Sequence, residues 1–205
     1  MKVILINRAA ILLSAIMLSI IIFGASQAAA KTAKVVFAGG CFWCMEGPFD
    51  KLNGVTDTIS GYTAGKASTA TYNQVSSGRT DHIEAVEVTY NPDVISYETL
   101  LKTFWVNVDP FDARGQFCDK GHHYTAAIFP KDSAQRNAAL ASKQAMQKLL
   151  GKVFVTKVTD YVSFFPAEDY HQNYYLTNPI RYAYYRAGCR RDRRLQAVWG
   201  DLASH

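Results

Sequence analysis

The sequence FAGGCFWCME at residues 37–46 joins a predicted β-strand to a predicted α-helix. The apolar run that ends at Phe37 is typical of a strand, and the two glycines after it allow a sharp turn that can approach a ligand closely. Cys41 follows where a helix would begin, and the free N–H groups and the dipole at that position favour a negative charge. Because only the thiolate is a good nucleophile, we expect Cys41 to be ionised and reactive, with a buried structural cysteine as the alternative. Pro48 should kink a helix that starts at Cys41, or that helix begins later.

The first 30 residues have the pattern of an export signal. Lys2 and Arg8 form a positively charged start, an apolar run covers residues 9–23, and small residues at 25–30 offer cleavage sites. We expect cleavage after Ala30 and a periplasmic protein, which leaves residues 31–205 as one domain. An uncleaved membrane anchor is the alternative.

The net charge of the chain excludes few classes of protein, and it does not indicate a nucleic-acid partner. Removal of two basic residues with the signal lowers the formal net charge from +5 to +3, which is a mild excess. Five arginines near the C-terminus are predicted to form a solvated helix face. They are Arg186, Arg190, Arg191, Arg193 and Arg194.

The alternation of strand and helix patterns predicts an α+β fold. Strands are predicted at 35–37, 54–62, 82–90, 124–129 and 153–160, and helices at 71–76, 96–106, 132–150, 167–177 and 195–202. We expect a two-layer sandwich in which helices flank a mixed sheet with a ferredoxin-like core, followed by a long coiled C-terminal segment. Residues 109–122 should form a long loop of the kind that often carries function.

Several short motifs follow the cysteine segment in order. They are SGY at 60–62, TY at 71–72, HIEAV at 82–86, WVNVDP at 105–110, QFCD at 116–119 and AEDYHQ at 167–172. Together with GCFW at 40–43, they resemble the A-type peptide methionine sulfoxide reductases over nearly all of residues 31–205. The resemblance implies that this region is a catalytic domain that reduces methionine S-sulfoxide, free or in proteins.

The residues suit that chemistry, which needs a soft nucleophile for the sulfur and an acid for the oxygen. Cys41 would supply the nucleophile. Glu84 lies within an apolar strand, where burial should raise its pKa so that a neutral carboxyl group can donate to the oxygen. The resemblance implies that Tyr72 and Tyr124 hydrogen-bond the same oxygen. It also implies that Asp119 is a carboxylate of the same site.

The aromatic residues beside Cys41 have a predicted role in binding. By the resemblance, Phe42 and Trp43 form the wall that receives the S-methyl group, a contact that sulfur and methyl groups make favourably with aromatic rings. The histidines carry no independent catalytic signal, and we expect His171 to be a structural hydrogen-bond partner. The others considered are His82, His122 and His123.

Attack on the sulfoxide would leave a sulfenic acid on Cys41, which a second cysteine converts to a disulfide. The candidates are Cys189, Cys44 and Cys118, and the sequence does not choose among them or exclude a relay through two. Many relatives keep a recycling cysteine near the position of Cys189, Cys44 completes a Cys-x-x-Cys pair, and Cys118 neighbours Asp119. No metal, flavin or nicotinamide site is visible, so we expect no cofactor and a thioredoxin-like thiol partner for a monomeric enzyme.

Two other functions are compatible with parts of the sequence. The pair Cys41-x-x-Cys44 after a strand is also found in thiol–disulfide oxidoreductases, whose exchange reaction would not need Glu84. A zinc site could use Cys41, Cys44, Cys118 and one of His122 and His123, although only the first two have a regular ligand spacing. Static pairing of the four cysteines would have three connectivities.

Overall fold

The computed structural model describes residues 31–203, and the predicted signal peptide at 1–30 lies outside the described residues, as do residues 204–205. The strands are β1 (Ala33–Ala38), β2 (Val55–Thr63), β3 (Ile83–Tyr90), β4 (Gly115–Gln116), β5 (Asp119–Lys120), β6 (Ala127–Phe129), β7 (Lys157–Val158) and β8 (Phe164–Pro166). The α-helices are α1 (Trp43–Asp50), α2 (Tyr72–Ser76), α3 (Tyr97–Val106), α4 (Ser133–Leu150), α5 (Tyr174–Thr177), α6 (Pro179–Gly188) and α7 (Arg191–Trp199). None of the helices between residues 31 and 203 has both the length and the apolar character needed to cross a membrane.

Six strands form one mixed sheet in the order β7-β6-β1-β3-β2-β8. The strand β1 pairs antiparallel with β3 and β6, and β2 pairs antiparallel with β3 and β8. Within residues 31–203, β6 and β7 form the one parallel pair of this sheet. The four central strands, with α1 after β1 and α3 after β3, follow the β-α-β-β-α-β order of a ferredoxin-like fold. The predicted α+β class and ferredoxin-like core are therefore confirmed.

The core lies mainly between the sheet and its helices. The apolar stripe of α3 is fully buried there, and its members are Leu100, Leu101, Phe104 and Trp105. The side chain of Ser96 caps this helix by accepting a hydrogen bond from the backbone N–H of Thr99. The opposite face of the sheet carries a smaller apolar cluster, against which Tyr161 and Phe164 pack. Both faces are thus covered, which explains why β1 and β3 are almost continuously buried.

Several predicted boundaries change in the structure. The strand predicted at 124–129 is only Ala127–Phe129, because the N–H of Tyr124 bonds to the carbonyl of Gly121 and closes a 3₁₀ turn instead. The strand predicted at 153–160 shortens to Lys157–Val158, and the strand Phe164–Pro166 was not predicted. These segments pair at the sheet edges, where tertiary contacts decide the pairing more than local pattern does.

The C-terminal segment is helical, so the predicted long coil is wrong. It forms α5, α6 and α7 in succession, and α6 begins with Pro179, whose fixed φ suits the first turn of a helix. The prediction of a solvated arginine face also fails at Arg191, which is 1% exposed. One Nη of Arg191 donates hydrogen bonds to the carbonyl oxygens of Gly39 and Asn107, at 3.2 and 2.7 Å. The guanidinium lies 4.3 Å from the centre of the Phe117 ring.

Arg191 therefore connects the C-terminal segment to the turn that precedes Cys41, and its loss should destabilise the protein. We expect Arg191→Leu to lower the free energy of unfolding by about 3 kcal/mol, because it leaves two buried carbonyl groups without a donor. The melting temperature should fall by roughly 6–12 °C, which thermal unfolding followed by circular dichroism would measure. The matched control is Arg193→Leu on the exposed side of the same helix, which should change stability by less than about 0.5 kcal/mol. Equal losses in the two variants would contradict this role.

Candidate active site

Cys41 lies between the end of β1 and the start of α1. The chain turns at Gly39 and Gly40, and Gly40 has a φ of +84°, a conformation that favours glycine. A Cβ atom on Gly40 would lie 2.6 Å from the Cβ of Gln116, so this turn has no room for a side chain. The helix begins at Trp43, and Cys41 therefore precedes its first turn. The helix thus starts later than Cys41, as one alternative allowed, but Pro48 still lies inside it.

Eight side chains line a cavity of about 60 Å³ beside Cys41. They are Cys41, Phe42, Trp43, Tyr72, Glu84, Asp119, Tyr124 and Tyr185. The first seven are the predicted nucleophile, carboxyl groups, tyrosines and aromatic wall. They come from the turn before α1, from α1, α2, β3 and β5, and from the turn before β6. Ligand sites for whole small molecules have volumes of about 300–1,000 Å³. The cavity therefore suits the end of one side chain rather than a complete cofactor.

Glu84 points into this cavity from the middle of β3 and is 1% exposed. One of its carboxyl oxygens accepts a hydrogen bond from the backbone N–H of Phe42, at 3.2 Å. Burial raises the pKa of Glu84 to about 8, against the opposing effect of that hydrogen bond. The predicted burial is confirmed, and the carboxyl group is mainly protonated at neutral pH. Glu84 is therefore a proton donor, and it contacts Phe42, which lies 42 residues earlier in the sequence.

The sulfur environment of Cys41 differs from the prediction. Cys41 is 6% exposed, and burial raises the pKa of its thiol well above the usual value, with further increases from the nearby Glu84 and Cys44. A hydrogen bond from Tyr185 acts in the opposite direction. The expectation that Cys41 is ionised at rest is therefore wrong. The loss of water around the sulfur outweighs the favourable position ahead of the helix.

Tyr72 and Tyr124 contribute two neutral hydroxyl groups to the cavity. Burial, followed by the charge of Glu84, raises the pKa of each phenol, so both keep their protons at neutral pH. Glu168, from the AEDYHQ motif, holds the start of α2 in place and so positions Tyr72. One of its carboxyl oxygens accepts a hydrogen bond from the backbone N–H of Tyr72 at 2.9 Å, and the other accepts one from the Tyr62 hydroxyl at 2.8 Å.

Trp43 is held on both sides. Its indole N–H donates to Nδ1 of His171 at 3.0 Å, and its ring stacks on Tyr174 with 3.7 Å between the ring centres. Burial lowers the pKa of His171, which keeps the imidazole neutral and able to accept. His171 is thus a structural hydrogen-bond partner, as expected, and its ring also packs against Phe42. This packing orients the aromatic wall of the cavity.

Tyr185 completes the cavity and was missed in the sequence. It lies on α6, and its hydroxyl donates to a carboxyl oxygen of Asp119 at 2.5 Å. Its ring meets the Trp43 ring edge to face, at 5.7 Å. The chain has 12 tyrosines, so residue type alone could not select this one. Its position one helical turn before Cys189 was the only available signal.

The structure pairs two of the three candidate resolving cysteines with each other. Cys118 and Cys189 form a disulfide with 4.8 Å between their Cα atoms, whereas Cys41 and Cys44 are free and buried. The disulfide removes Cys118 from the zinc site that we considered. Across residues 31–203, one group of three such side chains has its ligand atoms within 4.8 Å, and it consists of Cys118, Asp119 and Cys189. The two sulfurs of that group are already bonded.

Comparison with known proteins gives consistent matches over most of the chain. The family model described as peptide methionine sulfoxide reductase matches residues 33–203. Peptide methionine sulfoxide reductase MsrA 2 of Rhizobium meliloti is 46% identical over 175 residues, which cover 85% of this chain and 87% of that protein. Peptide methionine sulfoxide reductase MsrA of Bacillus subtilis is 45% identical over 172 residues, covering 83% and 97% of the two chains.

Solved structures share the same fold. The reduced form of Mxr1 from Saccharomyces cerevisiae superposes with a TM-score of 0.70 at 32% identity, over 74% of this chain and 88% of that one. Methionine sulfoxide reductase A of Corynebacterium diphtheriae gives a TM-score of 0.69 at 27% identity, over 75% and 78%. With the family model spanning nearly all described residues and relatives this similar, the chain belongs to the A-type peptide methionine sulfoxide reductase family.

Proposed function

We propose that this chain reduces methionine S-sulfoxide, free or within proteins, to methionine through a sulfenic acid on Cys41. One observation carries the proposal: a thiol, a protonated carboxyl group and two neutral phenols converge on one small buried cavity. A thiol–disulfide oxidoreductase would have no use for Glu84 and the tyrosines at this position. Family membership supports the same reaction.

The first step transfers oxygen from the substrate to the enzyme. The Cys41 sulfur attacks the sulfoxide sulfur, while Glu84 gives its proton to the oxygen as that atom gains negative charge. Tyr72 and Tyr124 donate hydrogen bonds to the same oxygen. The hydroxyl group then moves to the Cys41 sulfur: the S–O bond of the substrate and the S–S bond made by the attack both break, an S–O bond forms on Cys41, and methionine leaves. Overall, one thiol and one sulfoxide become one sulfenic acid and one thioether. Cys41 loses its proton to solvent when it ionises, and Glu84 takes one back from solvent after the step.

The aromatic wall positions the substrate for this attack. Phe42 and Trp43 offer ring faces to the S-methyl group, and contacts of this kind contribute about 0.3–1.5 kcal/mol each. The small cavity leaves room for the methyl, sulfur and oxygen atoms, and the rest of the substrate chain must remain outside. Recognition then depends on the oxidised end of the side chain, which fits an enzyme that accepts both free and protein-bound substrate.

We propose that Cys44 resolves the sulfenic acid. It is the free cysteine beside Cys41, and its backbone N–H already donates to the carbonyl of Cys41 at 3.0 Å. The Cys44 thiol would displace the hydroxyl of the sulfenic acid as water and form a Cys41–Cys44 disulfide. Cys118 and Cys189 remain the other candidates if their own disulfide is first reduced. They would then serve as the outer pair of a relay.

A dithiol reductant must reopen the Cys41–Cys44 disulfide. The reduced form of Mxr1 is 32% identical to this chain. Mxr1 has also been solved in complex with Trx2. We therefore propose a thioredoxin-like reductant and no bound cofactor. The enzyme is proposed to act as a monomer, which analytical ultracentrifugation would test.

We also propose that the chain is exported, since residues 1–30 have a positive start, an apolar run and small residues at 25–30. Cleavage after Ala30 would leave a periplasmic domain of residues 31–205, whereas an uncleaved signal would act as an anchor. Sequencing of the amino terminus of the mature protein would distinguish these two forms.

The test is a single turnover without reductant. Protein with an intact Cys118–Cys189 disulfide should convert one equivalent of methionine S-sulfoxide and leave the R epimer unchanged. Peptide mapping by mass spectrometry should then find Cys41 bonded to Cys44. In the matched Cys44→Ser variant, the same equivalent of methionine should form, but Cys41 should remain a sulfenic acid that dimedone traps. Absence of Cys41 from every oxidised species would exclude the mechanism, and a Cys41–Cys189 or Cys41–Cys118 bond would reassign the resolving residue.

A further inference from the structure

Tyr185 has a position in the cavity that the mechanism above does not yet use. Its hydroxyl donates to Asp119 at 2.5 Å. Tyr185 and Cys41 also line the same cavity of about 60 Å³, and the phenol lowers the pKa of the Cys41 thiol there. A phenol has one proton to donate and can accept in return. The hydroxyl can therefore donate to Asp119 while Cys41 is a thiol, and turn to the sulfur when Cys41 ionises.

The electrostatic surroundings of Cys41 make such a donor necessary. The ionisable groups around it are Glu84 on β3, Cys44 on α1, Asp119 on β5, Tyr185 on α6, Tyr72 on α2 and Tyr124 in the turn before β6. Burial is the largest influence and raises the pKa of Cys41, and Glu84, Cys44 and Asp119 raise it further. The hydrogen bond from Tyr185 lowers it. The one amide that directly follows Cys41, that of Phe42, is directed to Glu84 instead.

We propose that Tyr185 is a catalytic residue whose hydroxyl group stabilises the Cys41 thiolate at the moment of attack. The inference rests on the proposed function, because it assigns a role within that reaction. Cys41 and Glu84 together hold one proton in the reactive state, with the proton on Glu84 and the charge on Cys41. A hydrogen-bond donor to the sulfur favours this state over the alternative, in which Cys41 is a thiol and Glu84 is a carboxylate. The proton itself moves between Cys41 and Glu84, and Tyr185 keeps its own.

The fold holds Tyr185 firmly enough for this role. The N–H of Cys189 donates to the carbonyl of Tyr185 at 2.9 Å, so the two residues lie one turn apart on the same helix. The disulfide joins Cys189 to Cys118, which is adjacent to Asp119. The pairs Tyr185–Asp119 and Cys189–Cys118 are thus neighbouring links between α6 and one loop. The edge-to-face contact with Trp43 restrains the phenol ring as well.

The experiment compares the pH dependence of Cys41 alkylation by iodoacetamide in Tyr185→Phe and in the unchanged protein, with fragment mass spectrometry to separate Cys41 from Cys44. Loss of a hydrogen bond to a charged sulfur should slow alkylation at neutral pH about 10- to 100-fold. The pH midpoint should rise by about 1–2 units. The first turnover with methionine S-sulfoxide should slow to a similar extent. The control Tyr184→Phe, on the exposed side of the same helix at 81% exposure, should change neither measurement.

A second variant separates direct action on the sulfur from an effect through Asp119. Asp119→Asn removes a negative charge that raises the pKa of Cys41. The pH midpoint of Cys41 alkylation should therefore move down in Asp119→Asn, whereas it should move up in Tyr185→Phe. Burial raises the pKa of Asp119, and the hydrogen bond from Tyr185 opposes this rise and favours the ionised carboxylate. If Tyr185 acted on Cys41 only in this way, the midpoints of both variants would move down. An unchanged midpoint in Tyr185→Phe would overturn the proposal even if its turnover slowed. If the unchanged protein showed the expected alkylation but reduced no sulfoxide, the proposed function would fail while the link between Tyr185 and Cys41 would stand.

Discussion

Glu84→Gln is expected to slow the reduction of methionine S-sulfoxide by about 10²–10⁴-fold, the usual contribution of a general acid. The amide keeps the shape of the side chain and can still accept the hydrogen bond from Phe42. It cannot give a proton to the departing oxygen. Single-turnover formation of methionine, followed by chromatography, would measure the effect. The matched control is Glu87→Gln on the same strand, whose carboxylate pairs with Lys34 and Lys131 and lies outside the cavity.

The pH profile gives an independent test of the same residue. Burial raises the pKa of Glu84 to about 8 and that of Cys41 well above its usual value. The reactive state holds one proton between the two groups, so the rate should rise as pH approaches 8 and fall when the second proton is lost. In Glu84→Gln only the thiol titrates, so the rate should rise with pH and show no falling limb. A falling limb that survived in this variant would mean that another group is the acid.

Cys41→Ser should abolish turnover, with a loss of about 10⁴-fold or more, as for removal of a nucleophile in other enzymes. Serine is a far weaker nucleophile in a buried site. Transfer of the sulfoxide oxygen to its hydroxyl would also have to form an O–O bond instead of a stable S–O bond. Methionine should stay at the level of a protein-free sample, even with excess dithiol present. The circular dichroism spectrum should be unchanged, because the substitution replaces one atom in a turn.

The comparison variant for Cys41→Ser is Cys118→Ser, which removes a cysteine that lies outside the cavity lining. It should retain the first turnover, because the Cys41 and Cys44 sulfurs are untouched. Comparable losses in both variants would indicate that Cys41 is one of several structural cysteines. In that case the assignment of the nucleophile would be wrong.

The local sequence pattern was sufficient to predict many of the helices and strands. The helix at Ser133–Leu150 was predicted within one residue, because Asp132 caps its start and Gly151 ends it in the left-handed conformation. The helix Tyr97–Val106 was equally clear, since its apolar periodicity matches the face that it buries. So was the strand Ile83–Tyr90, which is buried on both faces along most of its length. Edge strands such as Phe164–Pro166 carry a weaker pattern. They form because a partner strand lies beside them.

The site was predictable in part for a different reason. Six of its eight residues occur in motifs whose order resembles one family, the same resemblance assigned Tyr124, and each of these residues carries a side chain suited to sulfoxide chemistry. Tyr185 and Arg191 stand in no such motif. Each acts over a distance of more than 60 residues in sequence, on Asp119 and Gly39 respectively, and nothing local distinguishes them from other tyrosines and arginines.

The sequence by itself determined the burial of Glu84 and the α+β class and predicted Cys41 as the nucleophile, because each depends on residue type and short-range periodicity. Only the tertiary structure decided that burial raises the pKa of the Cys41 thiol, that Cys118 pairs with Cys189 and that α6 enters the site. These depend on which atoms exclude water from the sulfur and which distant segments meet. Desolvation and long-range contact are properties of the packed chain, and no short stretch of sequence contains them.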